Sequence, residues 1–91
     1  STGTSLYVTD LSSGARTRLT DGTSDDRPEW SPDGREVYFV STVGGTSVIR
    51  RVPLDRSRPV ETVYEHEHQV REVVPLADGS GLVFRVDALE T

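Results

Sequence analysis

Ninety-one residues bound this chain to one small domain or a piece of a larger one. Hydrophobic residues make up 33% and mean hydropathy is −0.46, and the longest apolar runs, such as residues 37–40, fall far short of the ~20 residues of a membrane helix. With no Cys, disulfides, cysteine-ligated zinc, iron–sulfur clusters and thiol catalysis are excluded, while the compartment stays open. The net charge of −5 comes from 10 basic and 15 acidic residues, interspersed rather than clustered. That balance argues against nucleic acid as a partner, since phosphate-backbone binding needs a concentrated positive surface. Every basic residue is Arg, which reads first as codon bias and only second as a selected ion-pair network.

In chain order the dominant period is two, the spacing of a strand with alternating faces. Residues 5–11 are β-branched and aromatic, end in Ser12-Ser13-Gly14 and restart at 15–20, as a hairpin does. Residues 27–30 and 35–41 flank Ser31-Pro32-Asp33-Gly34. Pro32 presets φ for the first central turn position, Asp33 tolerates the second, and Gly34 supplies the left-handed residue that closes the loop. Residues 47–52 follow Gly44-Gly45 and stop at Pro53; residues 59–64, 70–74 and 81–86 complete the set, with Ala77-Asp78-Gly79-Ser80 turning the last pair. No window shows a helical apolar period, so the fold class is all-β.

The second turn exposes an internal repeat. Asp33-Gly34 recurs as Asp78-Gly79 and Phe39 as Phe84, at an offset of 45; Leu19-Thr20 falls on Val63-Tyr64 and Trp30 on Val74 at 44, and Leu11 on Leu54 at 43. Four strands per ~40–45 residues is the size of a β-propeller blade. With strands labelled A to D from the axis outward, the chain reads as C-D, then A-B-C-D, then A-B. The bounds are 5–20 for the first half blade, 27–64 for the full blade and 70–87 for the second half blade.

Leu19-Thr20, a spacer, then Asp26-Arg27-Pro28-Glu29-Trp30-Ser31-Pro32-Asp33-Gly34-Arg35 with Val37 and Phe39 resembles the TolB-like propeller repeat. The later copy is degenerate: it keeps Asp78, Gly79, Leu82 and Phe84 but has Val74 where Trp is expected. The resemblance implies a six- or seven-bladed disc serving as a scaffold for protein partners, as a sensor, or as a gate on peptidases of the prolyl oligopeptidase or tricorn kind. It also implies a periplasmic or extracytoplasmic setting. Fold alone does not fix function.

Two blade equivalents cannot close a ring, and the chain divides into two with no remainder. Strand C of the first half and strand B of the last are expected to be open edges, which recruit other strands. Because B of one copy needs C of another, the expected partner is a second copy, joined head to tail. A homotrimer forming six blades is favoured over a tetramer, and either over an excerpt of a longer propeller; another protein could sit on the propeller face.

Trp30 is expected to pack between blades. Asp26 is expected in the loop before the inner strand, accepting backbone N–H bonds, with its neighbour Asp25 in the same solvated loop. Asp33, Gly34, Asp78 and Gly79 are turn residues. His66 and His68 alternate in Glu65-His66-Glu67-His68, so an extended backbone puts both rings on one side, a weak metal-clip candidate. No cofactor is expected. No Gly-x-Ser-x-Gly elbow or phosphate-cradling glycine loop is present, so the expected class is a non-enzyme.

Overall fold

The computed structural model describes residues 4–20, 24–66 and 69–87. Among them are eight strands and no helix: β1 (Tyr7–Thr9), β2 (Arg16–Arg18), β3 (Asp25–Trp30), β4 (Glu36–Val43), β5 (Thr46–Pro53), β6 (Glu61–His66), β7 (Gln69–Pro75) and β8 (Leu82–Asp87). They form three antiparallel sheets in the orders β1-β2, β3-β4-β5-β6 and β7-β8. Relative to the bounds read from sequence, β3 starts two residues earlier, β6 ends two later and β7 begins at Gln69. The strands of the first pair are shorter than the apolar runs suggest. Beyond them, Leu19 N still donates to Leu6 O (2.8 Å), while Leu6 N donates to the Thr20 hydroxyl (3.2 Å) instead of to backbone.

The four-stranded sheet is sandwiched. Its β4 segment Val37-Tyr38-Phe39-Val40 is apolar without alternation, the pattern of a strand covered on both faces. Val37 and Phe39 point one way, to a cluster with Val52, Leu6 and Leu19; Val8 and Leu54 pack against it. Tyr38 and Val40 point the other way, to Ile49, Val70 and Val73, flanked by Leu82, Phe84 and Val86. Thus β1-β2 covers one face and β7-β8 the other. Each covering sheet has only two strands, so each face is covered only in part. The Cα radius of gyration, 13.7 Å, accordingly exceeds the roughly 12 Å of a compact chain of this length.

Local rules set the connections. Val43 pairs with Thr46 around Gly44 (φ 55°) and Gly45 (φ 84°), the two positive-φ positions of a primed two-residue hairpin turn. Bulges interrupt β3 between Asp26 and Glu29 and β7 between Val70 and Glu72.

Candidate functional site

The repeated turns come first. Gly34 N donates to Ser31 O (2.9 Å), which places Pro32 and Asp33 at the two central positions and Gly34, at φ 72°, at the close. Asp33 Oδ1 accepts the Ser31 hydroxyl (2.7 Å) and Arg35 N (3.0 Å), and Ser31 Oγ accepts Glu36 N (3.0 Å). The Ser31 hydroxyl, then the Arg35 amide, hold the Asp33 carboxyl below its ordinary value. In the second copy Asp78 Oδ1 accepts the Ser80 hydroxyl (2.6 Å) and Ser80 N (2.9 Å), which lower its pKa in that order, and Gly79 at φ 77° closes the turn. Each of these acids accepts, through its Oδ1, bonds from its own turn. Between the two turns lies a polar groove of about 400 Å³, where the Arg51 guanidinium meets the Tyr38 hydroxyl and the Glu61 carboxylate, both of which raise its pKa.

Strand pairing revises one repeat correspondence. Trp30 pairs with Val37, and Pro75 pairs with Leu82. Seven residues separate the members of each pair, so the structural counterpart of Trp30 is Pro75, at the same offset of 45 as the Asp-Gly turn. Val74 instead matches Glu29, which lies on the opposite face. The alignment of Trp30 with Val74 had followed side-chain size; identical turn lengths decide the register.

Asp26 and Asp25 also sit differently from expectation. Both lie in β3, not in a loop. Asp26 is exposed and its Oδ1 accepts Arg27 N (2.8 Å), the residue beside it, at a bulge where Arg27 takes φ 58°. Asp25 is buried and accepts the Ser41 hydroxyl (2.6 Å) across the β3-β4 pair, while its own N–H bonds Thr4 O (2.9 Å). Sequence reasoning placed Asp25 in a solvated loop; extending the Trp30–Val37 register through the bulge is the signal that pairs it with Ser41.

Trp30 lies on the side of β3 that faces the first sheet. It is 56% exposed. Together with Pro28, Val37, Leu6, Val8 and Leu19 it lines an apolar cleft of about 230 Å³ between β1 and β3. Among the described residues β1-β2 reaches Phe39 and Val52 toward the middle of the sheet and does not extend over the β3 end. Phe39, by contrast, is 1% exposed. Phe84 packs edge-on to His66 (5.6 Å) and tilted against Tyr64 (5.5 Å). His66 is therefore half-buried in an aromatic group; His68 lies outside the described residues, so the paired-imidazole reading is not addressed. Among the described residues no three His, Cys, Asp or Glu side chains gather as metal ligands.

Two sheet edges complete the site. Among the described residues, β1 has only β2 beside it and β8 only β7, so the other edge of each carries backbone groups with no strand partner. The outer face of β7-β8 carries the exposed pair Val74–Val83, facing away from Val73 and Phe84, beside the exposed Glu72–Arg85 ion pair. The fold and its repeated turns define an all-β repeat protein of stacked antiparallel sheets.

No family model matches the chain. It is 39% identical over 80 residues to an uncharacterized protein of Agrobacterium fabrum, covering 87% of this chain and 27% of that one. It is 39% identical over 62 residues to the Tol-Pal system protein TolB of Bordetella parapertussis, covering 68% and 14%. A solved structure from Agrobacterium tumefaciens assigned to TolB superposes with a TM-score of 0.74 at 38% identity, over 88% of this chain and 29% of that one. The chain belongs to the TolB-like propeller family. It spans about a quarter of the first relative and a seventh of the second.

Proposed function

We propose that the chain is a non-catalytic propeller scaffold whose working surfaces are its two open half-sheets. In this reading β3-β4-β5-β6 is one complete blade, β1-β2 is the outer pair of a second, and β7-β8 is the inner pair of a third. The observation that carries it is the complementarity of the two bare edges. β8 of one copy has the position of strand B and β1 of another that of strand C, so antiparallel pairing between them completes a blade. The contact is heterologous, and it closes into a ring when the rotation per copy divides a full turn. Three copies make six blades; four make eight. The turn acids Asp33 and Asp78 support the non-catalytic part of the reading, because each accepts hydrogen bonds from its own turn rather than poising a substrate.

Light scattering on the purified chain tests this. A mass three times the 10.0 kDa of one chain is expected, and a folded particle of single-chain mass at all concentrations overturns it.

A second reading is favoured by one observation, the 14–29% of its relatives' lengths that the chain covers. On that reading the same edges and faces are completed by further blades of a longer chain, in a propeller that senses ligands or gates a peptidase. Hydrolase sequence in the same reading frame would support it.

A further inference from the structure

We propose that Asp78-Gly79 is a site of covalent backbone modification, where aspartate isomerises to isoaspartate in the folded chain, and that the Ser31 hydroxyl protects the matching dipeptide Asp33-Gly34. The reaction needs only water. The Gly79 backbone nitrogen attacks Asp78 Cγ; a new N–C bond forms, and the proton of the nitrogen leaves with the hydroxyl of the carboxylic acid as water. A second water then opens the five-membered imide at the Asp78 main-chain carbonyl. The chain now runs through the side-chain carboxyl, with no net change in mass. A glycine successor favours the attack, because it has no Cβ to hinder the close approach of backbone.

The two turns are repeats at an offset of 45, and their backbones match. Gly34 N donates to Ser31 O and Gly79 N to Leu76 O, both across 2.9 Å. Arg35 N and Ser80 N each donate to the Oδ1 of their own turn's aspartate, at 3.0 and 2.9 Å. The difference lies in what else grips each carboxylate. Ser31 donates its hydroxyl to Asp33 Oδ1 (2.7 Å), accepts Glu36 N on the same oxygen (3.0 Å) and is only 7% exposed. Asp33 is thus held from both sides of its dipeptide, and one of the two holders is anchored in the sheet. In the second turn the position of Ser31 is taken by Leu76, which has no hydroxyl. Both bonds to Asp78 Oδ1 come from one exposed residue, Ser80.

To reach the glycine nitrogen, the carboxyl group has to give up its Oδ1 bonds and swing about the Cα–Cβ bond. The rate therefore follows the population of opened turns. Movement of Ser80 alone frees Asp78, whereas freeing Asp33 also breaks a bond to a buried hydroxyl. The third such dipeptide, Asp21-Gly22, lies outside the described residues.

The test holds the chain at neutral pH and body temperature for several weeks and then cleaves it after glutamate. That places Asp33 in the peptide 30–36 and Asp78 in the peptide 73–90, both apart from Asp21. Retention time and electron-transfer fragmentation distinguish isoaspartate from aspartate. Several-fold more isoaspartate is expected in 73–90 than in 30–36. In urea the two peptides should convert at similar rates, since the turns are gone. Ser31→Ala should raise conversion at Asp33 to the level of Asp78, and Ser80→Ala should raise Asp78 further without changing Asp33, with circular dichroism checking both folds. Equal conversion in the folded native chain, or more at Asp33, overturns the proposal. A difference that survives in urea belongs to the neighbouring sequence and overturns the role of the fold. A folded Ser31→Ala chain with Asp33 still intact overturns the role of that hydroxyl. The native comparison and its urea control need no variant, so a misfolded Ser31→Ala leaves the test in force.

Discussion

The backbone N–H of Val70 donates to the hydroxyl of Ser47 across 2.9 Å of buried interface, tying β7 to β5. Ser47 is 1% exposed, so no water can take its place. Ser47→Ala orphans a buried donor and is expected to cost about 1–3 kcal/mol. Urea unfolding measures the loss. Hydrogen exchange should show it concentrated in β7 and β8, with β1-β2 protection little changed.

Phe39 is the centre of the cluster shared by the first two sheets. Phe39→Ala is expected to destabilise by about 3–5 kcal/mol through lost burial and the cavity left behind. Against a total stability of order 5–15 kcal/mol that threatens folding outright. Val43→Ala, on the exposed tip of the β4-β5 hairpin, should stay within about 0.5 kcal/mol in the same denaturation assay.

Gly34 has open space where a Cβ would go, but its φ is 72°. The cost of Gly34→Ala is therefore conformational, about 1–2 kcal/mol, with no steric clash to add to it. Gly34→Asn should cost less, because asparagine tolerates the left-handed region. Melting temperatures of the two variants give the order directly.

The turn acids fix the sign of the acid response. Asp33 and Asp78 titrate below their ordinary value of 3.8 in the folded chain. Their contribution is thus complete above that value and is lost as pH falls through the lower, folded one. Thermal melts from neutral pH down to pH 2 should show stability falling only at the acid end. Asp33→Asn should flatten that fall; an unchanged profile would mean the carboxylate bonds to Ser31 and Arg35 do not matter.

The parts legible in the sequence were those governed by neighbouring residues. Pro32, Asp33 and Gly34 determine their turn through φ preferences, and the uninterrupted apolar run at 37–40 announces a strand covered on both faces. The 56% exposure of Trp30 was not legible, because it depends on what a separate sheet covers, which no local pattern encodes. Asp25 was read as a solvated loop residue because a bulge, with Arg27 in an unfavoured backbone region, shifts the register that reaches Ser41. The Trp30 counterpart slipped by one residue because size matched Val74 where turn length selected Pro75.

The most direct measurement is an intermolecular NOE experiment on a mixture of differently isotope-labelled copies. Strand exchange between copies predicts cross-chain contacts between the β1 residues Tyr7–Thr9 and the β8 segment beginning at Leu82, both of which present bare edges within one copy. Detecting only contacts within single chains, in a sample concentrated enough to associate, would contradict the account.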